Sequence, residues 1–101
     1  EPFEPLKGIH AAVTRQRPDG TPPGGWFPEL RLTLDEALHG FTTGAAYAAG
    51  MEHEQGQLAA GYLADLVVLD TDPYTIPPQE LLNINVLATM SGGIWRYGGF
   101  D

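Results

Sequence analysis

Cysteine is absent from this 101-residue chain. That excludes a disulfide framework, thiolate catalysis and Cys-ligated zinc, and it fits a reducing, cytoplasmic setting. Basic residues are scarce, five Lys and Arg against thirteen Asp and Glu, for a net charge of -8. Such a surface repels phosphate backbones and anionic lipid, so neither nucleic acid nor membrane is an expected partner. No apolar run approaches the roughly 18 residues that span a bilayer. The opening Glu1-Pro2-Phe3-Glu4-Pro5 has neither the basic nor the apolar region of a signal peptide. Serine occurs once, as Ser91, and no Gly-x-Ser-x-Gly surrounds it.

What is present suffices for one domain. Apolar residues make up 43% of the chain, within the globular range, and the length allows one core rather than two. Leu6, Ile9, Ala12 and Val13 fall on one face of a helix expected over residues 6–15. Residues 16–28 carry four prolines and three glycines and read as a long loop. Thr33-Leu34-Asp35-Glu36 has the form of a capping box, followed by the apolar stripe Leu34, Ala37, Leu38 and Phe41. Gly40 inside that helix calls for a close neighbour or an early end. Thr42 or Thr43 is placed to cap a short helix over residues 44–49, with Gly50 as its stop.

Beyond Gly50 the pattern changes. Gly56 and Gly61 bracket a short expected strand, Gln57 to Ala59. Leu66-Val67-Val68-Leu69 reads as a strand covered on both faces. Asp72-Pro73 marks a turn, and residues 78–82 form a helical turn opened by proline. Val86 to Met90 and Ile94 to Tyr97 alternate on either side of Gly92-Gly93, a hairpin signal. Helices come first and strands second, an α+β order with its break near residue 50.

A catalytic constellation is not visible in these residues. His10, His39 and His53 form neither a His-x-His nor a His-x-x-x-His pair, the spacings that place two imidazoles on one ion. His39 reads as a solvated or structural residue, and Glu52-His53-Glu54 as a charged surface turn. Asp65, Asp70 and Asp72 flank the strongest strand without the Gly and distal Glu of a calcium loop; carboxylates at strand ends bond nearby backbone. Ser91 belongs to the hairpin turn. Trp26, Trp95 and Tyr97 read as core or interface aromatics. No catalytic residue and no metal ligand is assigned.

The segment from Gly56 to Asp70, GQLAAGYLADLVVLD, resembles the G-x-(L/I)-x-x-G-x-x-A-D-(L/I)-V-(V/L)-x-D signature near the C-terminus of amidohydrolases. Leu32 to Leu38 followed by Thr42 to Ala48 is similar to the L-T-x-x-E-A-L…T-x-x-A-A-x-A segment that precedes it in the same family. Gly8 to Arg15 resembles the A-A-V-T-R element of amidohydrolase family 3, and Thr89 to Trp95 its closing T-x-x-G-G hairpin. Thr33, Glu36, Gly56, Gly61, Ala64, Asp65 and Asp70 are the residues of these structural motifs. Tyr62, Gln57 and Gly44 stand where Lys, Ser and Asn are common, positions without a catalytic role.

The resemblance implies a (β/α)8 barrel with a small composite β-sandwich. Residues 1–50 would be the last barrel loop and closing helices, and residues 51–101 the C-terminal strands of the sandwich. It also implies a metal-dependent hydrolase acting on C–N bonds of amides or cyclic amides. Such enzymes hold one or two divalent ions, zinc expected, through a His-x-His pair, a carboxylated Lys or acidic residue, two further His and an Asp. Lys7, the sole lysine, matches none of these, so the chain reads as an excised C-terminal portion, inactive alone. Its partners would be the remainder of the parent chain and further copies. His10, Thr14 and Arg15 follow the catalytic strand on this mapping and are the candidates to lie by the substrate pocket. The alternative is a self-standing acidic interaction or oligomerisation domain without catalysis.

Overall fold

A computed structural model describes residues 4–99; residues 1–3, 100 and 101 lie outside the described residues. Helix α1 spans Glu4–Thr14 and buries Leu6 and Ile9, with Ala12 and Val13 packed half-buried beside them. The stripe therefore faces inward as its spacing requires. The Thr14 hydroxyl donates to the His10 carbonyl at 2.8 Å and accepts from the Gln16 amide at 3.1 Å. Arg15 then turns left-handed at φ 58° while its amide donates to the Ala11 carbonyl at 2.7 Å, a C-terminal cap built without glycine.

Residues 15–33 are irregular, a longer stretch than the loop expected over 16–28, broken by one 3-10 turn at Pro28–Leu30. Helix α2, Leu34–Phe41, opens on a completed capping box. The Thr33 hydroxyl accepts from the Glu36 amide at 3.1 Å, and the Glu36 carboxylate accepts from the Thr33 amide at 2.9 Å. Of the two outcomes foreseen for Gly40, the early end holds. A Cβ at Gly40 would meet nothing within 4 Å, and α2 stops one residue later. The close approach occurs instead at Gly8, where a Cβ would stand 2.5 Å from the Phe41 ring. That glycine lets α1 and α2 meet.

Helix α3, Thr43–Ala48, follows directly. Thr42 occupies the cap position, but its hydroxyl donates backward to the Leu38 carbonyl at 2.7 Å rather than capping α3.

Two expectations for the second half fail. No strand forms over Gln57 to Ala59, whose side chains are exposed in irregular chain. Gly56 and Gly61 take φ of 96° and 87°, which end an extended path, and the Tyr62 amide closes a turn onto Ala59 at 3.0 Å. Strand β1, Leu66–Leu69, does form, but it is not covered on both faces: Val67 is 40% exposed.

Strands β2, Val86–Ser91, and β3, Ile94–Tyr97, complete an antiparallel sheet of order β1-β2-β3. Leu66 stands opposite Met90 and Val68 opposite Ala88, with an irregularity before the Leu69–Val86 pair. Ser91 pairs with Ile94, and Gly92 and Gly93 take φ of 58° and 82°, the two positive values that a two-residue primed turn demands.

The core crosses the midpoint of the chain. Leu81, 1% exposed, comes from the 3-10 turn Pro78–Asn83 and packs with Ile84 against Leu6, Ile9 and Ala37. Leu69 and Ile76 border the same cluster. One apolar centre thus ties the helices to the segment that leads into the sheet.

Candidate functional site

The residues shared with the amidohydrolase signature act as clamps on the sheet. Asp65 precedes β1, and its carboxylate accepts from the Gly92 amide at 2.7 Å; the neighbouring Ala64 carbonyl accepts from Gly93 at 3.0 Å. Asp70 follows β1 and accepts from the Asn85 amide at 3.0 Å and the Asn85 side-chain amide at 2.9 Å. The Asp70 amide returns a bond to the Asn85 carbonyl at 3.0 Å. One carboxylate therefore holds the hairpin turn and the other holds the start of β2. The donors from Asn85 and Thr71 hold the Asp70 carboxyl pKa below its usual value. Asp72 likewise accepts from the Tyr74 amide at 2.9 Å. All three aspartates accept from backbone amides, Asp72 within its own turn and Asp65 and Asp70 from segments far along the chain.

Gly56 of the same signature is confined. At φ 96° a Cβ there would stand 3.0 Å from both the Thr43 Cα and the Ala46 side chain. This glycine seats the post-helical chain against α3.

A groove of about 670 Å³ lies between the three helices, the Gln55–Leu58 segment and the faces of β1 and β2. Leu38, Phe41, Leu58, Val67 and Met90 contribute to its wall, and Asp65 is the one charged residue lining it. That carboxylate is already engaged by Gly92, so the groove offers an apolar surface without a free acid, base or nucleophile.

The candidates named for a substrate pocket do not line this groove. His10 is 3% exposed and Thr14 7% exposed, both on the inward side of α1. Burial lowers the proton affinity of His10, and no hydrogen-bond partner reaches its ring among the described residues. Arg15 turns outward, its Nε donating to the Trp26 carbonyl at 2.8 Å. The other histidines stand apart: His39 Nδ1 lies 2.6 Å from the Thr43 hydroxyl, and exposed His53 lies 3.9 Å from the Glu52 carboxylate. Among the described residues no three His, Asp or Glu side chains gather closely enough to hold a metal ion.

Two contacts were hidden from sequence reading. Asn85 grips Asp70 across 15 residues, and the Tyr74 hydroxyl donates to Asp35 across 39. Neither pair carries a local spacing signal.

Comparison with known proteins places these clamps in context. A model of the amidohydrolase family matches residues 1–97. The chain belongs to the amidohydrolase family. It is 37% identical over 95 residues to the N-substituted formamide deformylase of Arthrobacter pascens, covering 94% of this chain and 17% of that protein. It is 33% identical to the putative amidohydrolase YtcJ of Bacillus subtilis (strain 168), covering 92% of this chain and 18% of that one. An imidazolonepropionase of Kosmotoga olearia is 28% identical over 90% of the chain and 19% of its own length. The chain thus spans under one-fifth of these relatives. No solved structure gives a significant match. Among the described residues no helix is long and apolar enough to cross a membrane.

Proposed function

We propose that this chain is the C-terminal structural portion of a metal-dependent amidohydrolase that cleaves C–N bonds of amides or cyclic amides. The observation that carries the reading is the use of the family signature: Asp65 and Asp70 spend their carboxylates on Gly92 and Asn85, closing a sheet rather than facing a substrate. On this reading residues 1–50 supply the last loop and closing helices of a (β/α)8 barrel, and residues 51–101 supply strands of a composite sandwich. The apolar groove, with Val67 on its wall, then receives the remainder of the parent chain. One or two divalent ions, zinc by expectation, are held by residues outside this chain in a cytoplasmic enzyme.

Within that enzyme His10 and Thr14 lie on the helix that follows the last barrel strand, and Arg15 lies just past its end. In this reading they border the substrate pocket of the parent enzyme. The names of two relatives, an N-substituted formamide deformylase and an imidazolonepropionase, support a C–N bond as the target. Substrate choice resides mainly in loops that differ between such enzymes. Association between copies is expected of the chain when the remainder is absent.

A second reading has one observation in its favour. The core joins Leu6 and Ile9 to Leu81 and Ile84, so the chain has an apolar centre of its own, as a self-standing interaction domain requires. The coding frame upstream of Glu1 separates the two. Several hundred further codons with a His-x-His near their beginning, and turnover of N-substituted formamides or other amides by the encoded protein, are expected. A start codon at Glu1 and a short frame would leave only the interaction domain.

A further inference from the structure

We propose that the ordered loop between α1 and α2, residues 15–33, is a surface through which two copies of this chain associate, each loop resting on the acidic face around Tyr74 of the other copy. Trp26, Phe27, Leu30 and Leu32 of this loop are 62, 53, 58 and 42% exposed. Trp26 and Phe27 stack edge to face with centroids 5.1 Å apart. Arg15, Arg17 and Arg31 lie on the same segment. Exposed aromatics with interleaved arginine are the composition of interface centres, where Trp and Arg dominate the binding energy.

The loop is also pre-organised. Arg15 and Trp26 bond reciprocally, Trp26 amide to Arg15 carbonyl and Arg15 Nε to Trp26 carbonyl, both at 2.8 Å. The Leu32 amide donates to the Ala12 carbonyl at 2.9 Å and the Arg17 amide to Thr21 at 2.8 Å. Two non-glycine residues, Arg15 and Phe27, are held at φ of 58° and 47°. Strain of this kind persists where surroundings over-determine it, and a loop fixed before binding loses little entropy on binding.

Charge selects the occupant. The loop carries three of the chain's five cations with two carboxylates, Asp19 and Glu29, and leaves the other eleven carboxylates elsewhere. The complementary face is centred on Tyr74, 59% exposed, whose hydroxyl donates to Asp35 and whose amide donates to Asp72. Asp35 follows Leu32 by three residues, so the basic aromatic surface and the acidic one adjoin at the start of α2. A two-fold axis there places each against the other, the self-complementary arrangement of a closed pair. This surface is separate from the sheet edges, and the inference does not depend on the hydrolase reading.

Sedimentation velocity of the chain at about 0.05 M and about 0.5 M salt tests it, with circular dichroism recorded on each variant. A dimer is expected whose dissociation constant rises about tenfold or more over that salt range. Trp26→Ser with Phe27→Ser, and separately Arg17→Glu with Arg31→Glu, each weaken it about a hundredfold or more while the spectrum is retained. Asp35→Lys weakens it too, and combining it with the arginine reversals restores part of the affinity. The strand-edge variant Ile94→Lys leaves it unchanged. A chain that is monomeric at both salts, folded or not, overturns the proposal. So does a dimer insensitive to the loop variants and abolished by Ile94→Lys, an outcome that supports edge pairing instead.

Discussion

Replacing Leu81 by alanine tests whether one core unites the two halves of the chain. Leu81 is the largest side chain that is almost wholly buried, at 1% exposure, and its partners Leu6, Ile9 and Ala37 lie more than forty residues upstream. Truncation removes the buried methyl groups and leaves a cavity between α1 and the turn Pro78–Asn83. Leu→Ala losses at such sites run about 2–5 kcal/mol. For a domain of this size each kcal/mol moves Tm by about 4–8 °C, so a drop on the order of 10–25 °C is expected. A loss of this kind is also a large share of the roughly 5–15 kcal/mol that a native domain holds. The assay is thermal and urea unfolding followed both by helical dichroism and by Trp95 emission, with Trp26→Phe as background. Both probes should move together. Leu58→Ala, at a side chain 73% exposed, serves as control and should change stability by less than about 0.5 kcal/mol. A Leu81→Ala loss below about 1 kcal/mol, or sheet and helix signals that separate, would refute a shared core.

Thr33→Ala removes the hydroxyl that accepts from the Glu36 amide and should cost about 1 kcal/mol in denaturant unfolding, with Thr33→Ser near neutral. Gly56→Ala forces a side chain onto the Thr43 backbone at a left-handed φ and should cost about 1–3 kcal/mol, whereas Gly8→Ala meets only the swinging Phe41 ring and should cost less in the same melts. Glu36 and Asp70 have lowered carboxyl pKa values in the fold, through Thr33 and Asn85 donors respectively. The unfolded chain then binds more protons, so their contribution is present above their ordinary values of 4.5 and 3.8 and is lost as pH falls through the lower folded values; Glu36→Gln and Asp70→Asn should flatten that acid limb. His10, lowered by burial, contributes in the same direction from its ordinary 6.5 downward, and His10→Gln should flatten stability against pH just below that point.

Local signals were legible where bonds close within a few residues. The Leu6/Ile9 stripe, the Thr33–Glu36 box and the Gly92-Gly93 turn each follow from spacing and appear as read. The end of α2 at Phe41 shows Gly40 acting as a stop rather than a contact. The strand expected at Gln57 to Ala59 failed because two flanking glycines at positive φ bend the chain and no neighbouring strand competes. The exposed face of β1 shows the limit of reading burial from an apolar run. Val67 reports that a face is fit to be covered, not that this chain covers it. Contacts across the chain, such as Asp70 with Asn85 and Tyr74 with Asp35, have no periodicity to reveal them. The signature residues Asp65 and Asp70 were recognisable as a pattern, yet their purpose as clamps on the hairpin and on β2 emerged only from geometry.

The central claim is that these residues complete a scaffold while the reaction belongs elsewhere in the parent enzyme. The most direct test measures hydrolysis of an N-substituted formamide by the purified chain and by the intact protein that contains it, each with added zinc and then with a chelator. The account predicts turnover by the intact protein, lost on chelation, and none by the chain under either condition. Zinc-dependent turnover by the chain alone, abolished by the chelator, would contradict it.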